Sequence, residues 1–115
     1  MMDITIKLIE PITGHEGPIT EITLREPSYG EIMKFGEPYA QGFSRDGSVV
    51  YQAENTDAIR GYIEALVKPP VDALLIRQLK TADSLRLKDA VLGFFQDARS
   101  RLSASTQTSS SSTLK

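Results

Sequence analysis

A chain of 115 residues, with 15 Asp and Glu against 13 Lys and Arg and 40% hydrophobic residues, is sized for one globular domain rather than two. It has no cysteine and one histidine, His15, which excludes a disulfide framework, thiol nucleophiles, zinc clusters and Cys–His pairs. The longest apolar run, Ala73–Ile76, is far short of the roughly 20 residues that cross a bilayer, and MMDITIKLIEP lacks a basic, apolar leader pattern. A cytosolic protein with no membrane partner is expected.

Ile4, Ile6 and Leu8 alternate with Thr5, Lys7 and Ile9, the period-two pattern of a half-buried strand. Pro11, Gly14, Gly17 and Pro18 break the chain, and Ile22 and Leu24 then alternate with Thr23 and Arg25. The pattern predicts an antiparallel hairpin, about 3–10 and 19–26, with His15 solvated in a long loop. Pro27 ends the second strand. Ser28 and Glu31 have the S-x-x-E spacing of a capping box, which opens a short helix over 28–35 that Gly36 and Pro38 stop. Tyr29, Ile32 and Met33 share one side of it, and two turns alone are unstable without a packing partner. Residues 38–54 admit two readings: a small hairpin turning at Asp46-Gly47, or a mobile excursion with the same turn.

From Asn55 the period becomes helical. Ile59, Tyr62, Ile63, Leu66 and Val67 make a stripe over 56–67, stopped at Lys68-Pro69-Pro70. A second helix is expected over 70–79, with Val71, Leu74, Leu75 and Leu79 inward and Ile76 widening the stripe. A third, capped by Thr81 or Asp83, reaches about Leu102, with Leu87, Ala90, Val91, Phe94, Phe95, Ala98 and Leu102 on its core face. Leu85 and Leu92, seven residues apart beside Lys88 and Arg99, form a separate apolar strip. It either packs under the N-terminal hairpin or meets another chain. Ser103–Lys115 holds six Ser and three Thr and cannot bury enough to offset its ordering entropy.

These elements make an α+β fold: an N-terminal antiparallel β-hairpin, a short helix, a three-helix C-terminal bundle and a disordered Ser/Thr-rich tail. The domain is 1–102 and 103–115 is a flexible tail or linker. The expected core is Ile6, Leu8, Leu24, Ile32, Ile59, Ile63, Leu66, Leu75, Leu79, Leu87, Val91 and Phe94. No phosphate-cradling glycine loop is present, because Gly14 and Gly17 lead into Pro18 and a strand. Asp83 with Asp89 and Glu26 with Glu31 sit at cap and exposed-helix positions, where structural roles suffice. No catalytic, cofactor or metal residues are expected. Residues 1–40 carry seven acids and three bases, whereas 56–102 carry six acids and eight bases. That asymmetry is too weak for binding nucleic acid and could favour head-to-tail self-association.

Two stretches carry a resemblance. ITEITLREPSYGEIMKF at 19–35, a strand followed by Leu24-Arg25-Glu26-Pro27, a small residue and the pair Gly30-Glu31, resembles the tail assembly chaperones of Mu-like and related contractile-tailed bacteriophages. LLIRQLKTADSLRLKDAVLGFF at 74–95 is similar to that family's C-terminal pattern, with Leu79, Asp83, Leu87, Val91 and Phe94-Phe95 in register. The resemblance implies a non-enzymatic protein of the host cytoplasm. It would keep the tape measure protein soluble and extended until tail-tube subunits polymerise, and be absent from the virion. It also implies a longer, frameshifted form that recruits tail-tube protein. A homo-oligomer is expected from the Leu85/Leu92 strip and the opposite charge of the two ends. Expected contacts are Tyr29, Met33, Ile76, Leu85 and Leu92, the apolar residues outside the predicted core stripes. A small structural tail or baseplate protein, and a DNA-binding or antitoxin-like regulator, are the alternatives.

Overall fold

Alternation at the N-terminus produces the expected hairpin, β1 (Ile4–Gly14) and β2 (Gly17–Leu24), with Ile4 opposite Leu24 and Ile6 opposite Ile22. Ile6, Ile22 and Leu24 are buried beneath it. The computed structural model describes residues 3–113, with the backbone alone for Gln41, Phe43, residues 49–52 and residues 103–113. α1 (Tyr29–Phe35) follows, then a second hairpin of β3 (Tyr39–Phe43) and β4 (Val49–Glu54), and then α2 (Thr56–Leu66), α3 (Ala73–Ile76) and α4 (Thr81–Thr113). The α+β expectation holds, and of the two readings of 38–54 the hairpin is the one found.

The long loop expected around His15 is absent. The strands run on until only His15 and Glu16 separate them, with Gly17 at φ +133° closing the turn. Pro11 lies where the register slips between Lys7 and Ile12, and Pro18 lies on an edge strand of a two-stranded sheet. Bulges and edges are where a strand tolerates proline. Punctuation that reads as a break in the sequence thus marks a bulge at Pro11 and an edge position at Pro18.

Past α2 the chain adds a short rung to this sheet: Arg25 N donates to Leu66 O at 3.0 Å and Lys68 N to Thr23 O at 2.9 Å. The helix expected over 70–79 shrinks to the single turn α3. Asp72, in extended backbone, caps it by accepting from Leu75 N at 2.9 Å. Beyond Ile76 the bonds tighten to i→i−3, from Gln78 N to Leu75 O and Leu79 N to Ile76 O. Such bonds make isolated turns rather than a long helix. The three-helix bundle is thus α2 against α4, with α3 a connector turn.

α4 also departs from expectation. It begins at Thr81, and Asp83 is not its cap but the third residue of its first turn, buried at 1% exposure. Its carboxylate accepts from Ile9 N at 3.0 and 3.1 Å and from Glu10 N at 3.1 Å. Gln78 accepts from Thr13 N at 2.9 Å and donates to Thr13 O at 2.8 Å, and Arg86 donates to Lys7 O. Side chains from Gln78 to Arg86 therefore stand where a third strand would lie, closing the outer edge of β1. The helix is assigned to Thr113, beyond the expected end near 102, and Leu114 and Lys115 lie outside the described residues. Helical hydrogen bonds are local and do not need a continued apolar stripe.

One core joins hairpin and helices: Ile6, Ile12, Ile22, Leu24, Ala58, Tyr62, Leu66, Val71, Leu75, Leu87, Val91 and Phe95, with Leu8, Ile32, Ile63, Leu79 and Phe94 half-buried against it. Phe95 rather than Phe94 is the fully inserted member of the pair.

Candidate interaction surface

The Leu24–Glu31 stretch folds into a polar staple. Ser28 and Glu31 form the reciprocal capping box of α1, with Glu31 accepting from Ser28 N at 3.0 Å. The same carboxylate receives both guanidinium nitrogens of Arg25, at 2.8 Å from Nη1 to Oε1 and through a second, Nη2–Oε2 contact. Arg25 Nη2 also donates to Ala65 O at 3.1 Å, where α2 ends. One arginine thus ties β2, α1 and α2 together, in the fork geometry that suits a carboxylate. The Arg25 hydrogen bond above all holds the Glu31 carboxyl at about 2; burial opposes it, and the hydrogen bonds from Ser28 add a lesser lowering. Asp83 is likewise held below the usual carboxylate range, first by Ile9 N–H, while burial opposes it.

Beneath α1, Phe35 meets Tyr62 edge-on at 5.0 Å and Tyr62 meets Phe95 at 5.1 Å. Tyr62 Oη donates to Gly36 O at 2.5 Å. The fit depends on Gly61, because a Cβ there would stand 2.6 Å from the Phe35 ring. No residue of α1 is fully buried. Tyr29 and Met33, one turn apart on its outer side, are 78% and 62% exposed.

The expected contact residues separate into different places. Tyr29 and Met33 stand together on α1. Ile76 lines an apolar cleft of about 200 Å³ with Ile59 and Ile63, rimmed by Arg60, Glu64 and Lys88. Leu85 is half-exposed near the start of α4, but Leu92 is buried at 7% exposure. The strip open to two readings therefore divides, Leu92 packed within the chain and Leu85 facing solvent, because a stripe on a helix leaves the packed surface as it runs along its neighbours. Lys88, between them, is drawn to Glu54 at 2.9 Å. Ile9, Leu74 and Leu102 are further exposed apolar residues. Ile9 was legible on the outer face of its strand. Leu74 and Leu102 fall inward on the helical stripes of the sequence, which the shortened α3 and the end of the packed part of α4 do not sustain. A smaller cleft, about 80 Å³, lies beside α1 between Pro27, Ile32, Phe94, Phe95 and Ala98.

His15 is exposed, its Nε2 3.3 Å from Asp72 Oδ2. Among the described residues no group of three or more His, Cys, Asp or Glu side chains is placed to hold a metal, and no helix is long and apolar enough to cross a membrane.

No curated protein and no solved structure matches the chain. A family model described as phage tail assembly chaperone proteins, E, or 41 or 14, matches residues 5–96. The match includes the second hairpin, outside the motifs that carried the resemblance, and stops before the Ser/Thr-rich segment. From the Arg25–Glu31 staple to the Phe94-Phe95 pair, the chain belongs to the phage tail assembly chaperone family.

Proposed function

We propose that this chain binds the tape measure protein in the host cytoplasm, keeps it soluble and extended until tail-tube subunits polymerise around it, and is not retained in the virion. The observation that carries this reading, beyond family membership, is the set of large apolar side chains left in solvent on short elements, with Tyr29 and Met33 on α1 foremost. Exposed apolar side chains gathered within a polar surface mark sites of protein contact. The cleft at Ile76 offers a second anchor, in the manner of a helix laid into a groove. The function is non-enzymatic, the working form is a homo-oligomer, and Ser103–Lys115 acts as a linker to a longer, frameshifted form that recruits tail-tube protein.

Co-expression with the neighbouring long helical reading frame tests this. Wild type should keep that client soluble, and Met33→Asp, Ile76→Asp or Leu85→Asp should lower the soluble fraction severalfold while circular dichroism shows each variant folded. A client equally soluble without this protein would refute the reading. Stoichiometric persistence in purified, tail-complete particles would favour a structural tail protein instead.

A further inference from the structure

We propose that α1 is a displaceable occupant of its own seat, and that the same seat takes an acidic amphipathic helical turn of a partner while α1 swings outward. The seat is formed by Gly61, Tyr62 and Phe95, continued by Phe94 and Ala98, with the Arg25 guanidinium at its edge. α1 fills it with Phe35 in the notch that Gly61 leaves, Ile32 beside Phe94 and Phe95, and Glu31 on Arg25. These three side chains define the occupant: a carboxylate, then an aliphatic residue next to it and an aromatic one three positions further on. Charge complementarity favours such a turn, since Arg25 loses its carboxylate partner whenever α1 leaves.

The attachment is weak enough to exchange. α1 has seven residues, none fully buried, and is held chiefly by the Phe35 contact, the Arg25–Glu31 pair and the Tyr62 bond to Gly36 O. An isolated helix of this length is unstable, so α1 is ordered only by docking. The chain on either side allows a swing: Pro27 precedes α1, and Gly36 at φ +77° turns the chain before the buried Pro38 anchors it again. Tyr29 and Met33 would travel with it. A seat filled most of the time lowers the apparent affinity for any competitor by the fraction of time it is open. The partner side of this inference rests on the chaperone reading, whereas the seat itself does not.

The probe is a fluorescein-labelled peptide copying Pro27–Pro38, added to the full-length protein and followed by anisotropy. Phe35→Ala, which empties the notch in the chain's own α1, should bind the peptide at least tenfold more tightly than wild type. The double variant Phe35→Ala/Gly61→Ala, in which a methyl group blocks the notch, should lose that gain. Should Phe35→Ala fail to fold, Glu31→Gln loosens α1 through Arg25 and should bind the peptide severalfold more tightly. A folded loosened variant that binds no better than wild type, or a gain that survives Gly61→Ala, would overturn the proposal. The assay contains no tail protein, so its failure is distinct from failure of the co-expression test.

Discussion

Replacing Asp83 is the sharpest test of how the helices are fastened to the hairpin. Asp83→Ala removes the acceptor of two backbone N–H groups, Ile9 and Glu10, that belong to a different element more than 70 residues away. Bonds to an ionised acceptor are about twice as strong as neutral ones. The residues supplying the N–H groups are exposed, so water recovers part of the loss. For a domain of this size the balance is a fall in Tm of roughly 10 °C. Asp83→Asn keeps the shape and one acceptor but turns an amide NH₂ toward donors, so it should lie between wild type and Asp83→Ala. The pH dependence has a definite sign. Because the folded state holds Asp83 below its usual pKa, its contribution is present above about pH 4 and is lost as acid protonates it. The gap in Tm between wild type and Asp83→Asn, followed by circular dichroism, should therefore be full at pH 7 and narrow below pH 4. A Tm for Asp83→Ala within 2 °C of wild type, or a gap independent of pH, would refute the assignment of Asp83 as a fastener.

Glu31→Gln should cost about 1 kcal/mol at pH 7, a modest figure because the Arg25 side chain is 38% exposed, with the difference from wild type disappearing between about pH 4 and pH 2 in urea titrations. Leu92→Lys, which buries a charge without a partner, should lower stability by about 3 kcal/mol or more, while Leu85→Lys at a half-exposed position stays within about 0.5 kcal/mol; equal effects would show that the two leucines share an environment. Truncation after Leu102 should leave Tm within about 2 °C in a thermal melt, as expected for the proposed linker, and a larger fall would mean that the segment docks.

Much of this protein was written in local patterns. Alternation at Ile4–Leu8 and at Ile22–Leu24 determined two strands, because one face of a hairpin must turn inward. The Ser28/Glu31 spacing determined the start of α1, since a capping box is made within four residues, and the stripe from Ile59 to Leu66 determined α2. The two motifs around Arg25 and Phe94 also sufficed to indicate the family. What tertiary structure alone decided are roles that one residue plays for a distant one. Asp83 reads as a cap, because D followed by an apolar helix is a cap in isolation, yet its carboxylate is spent on β1. Pro11 reads as a break, because only the partner strand reveals a bulge. Leu85 and Leu92 read alike as one strip, packed or shared with another chain, yet only Leu92 is buried, because burial depends on where the neighbouring elements end rather than on the helix period. Arg25 reads as a strand residue facing solvent, whereas its guanidinium joins α1 to the end of α2. Periodicity and caps are short-range consequences of backbone geometry, while the partner of a charged or apolar side chain is set by the packing of the whole chain.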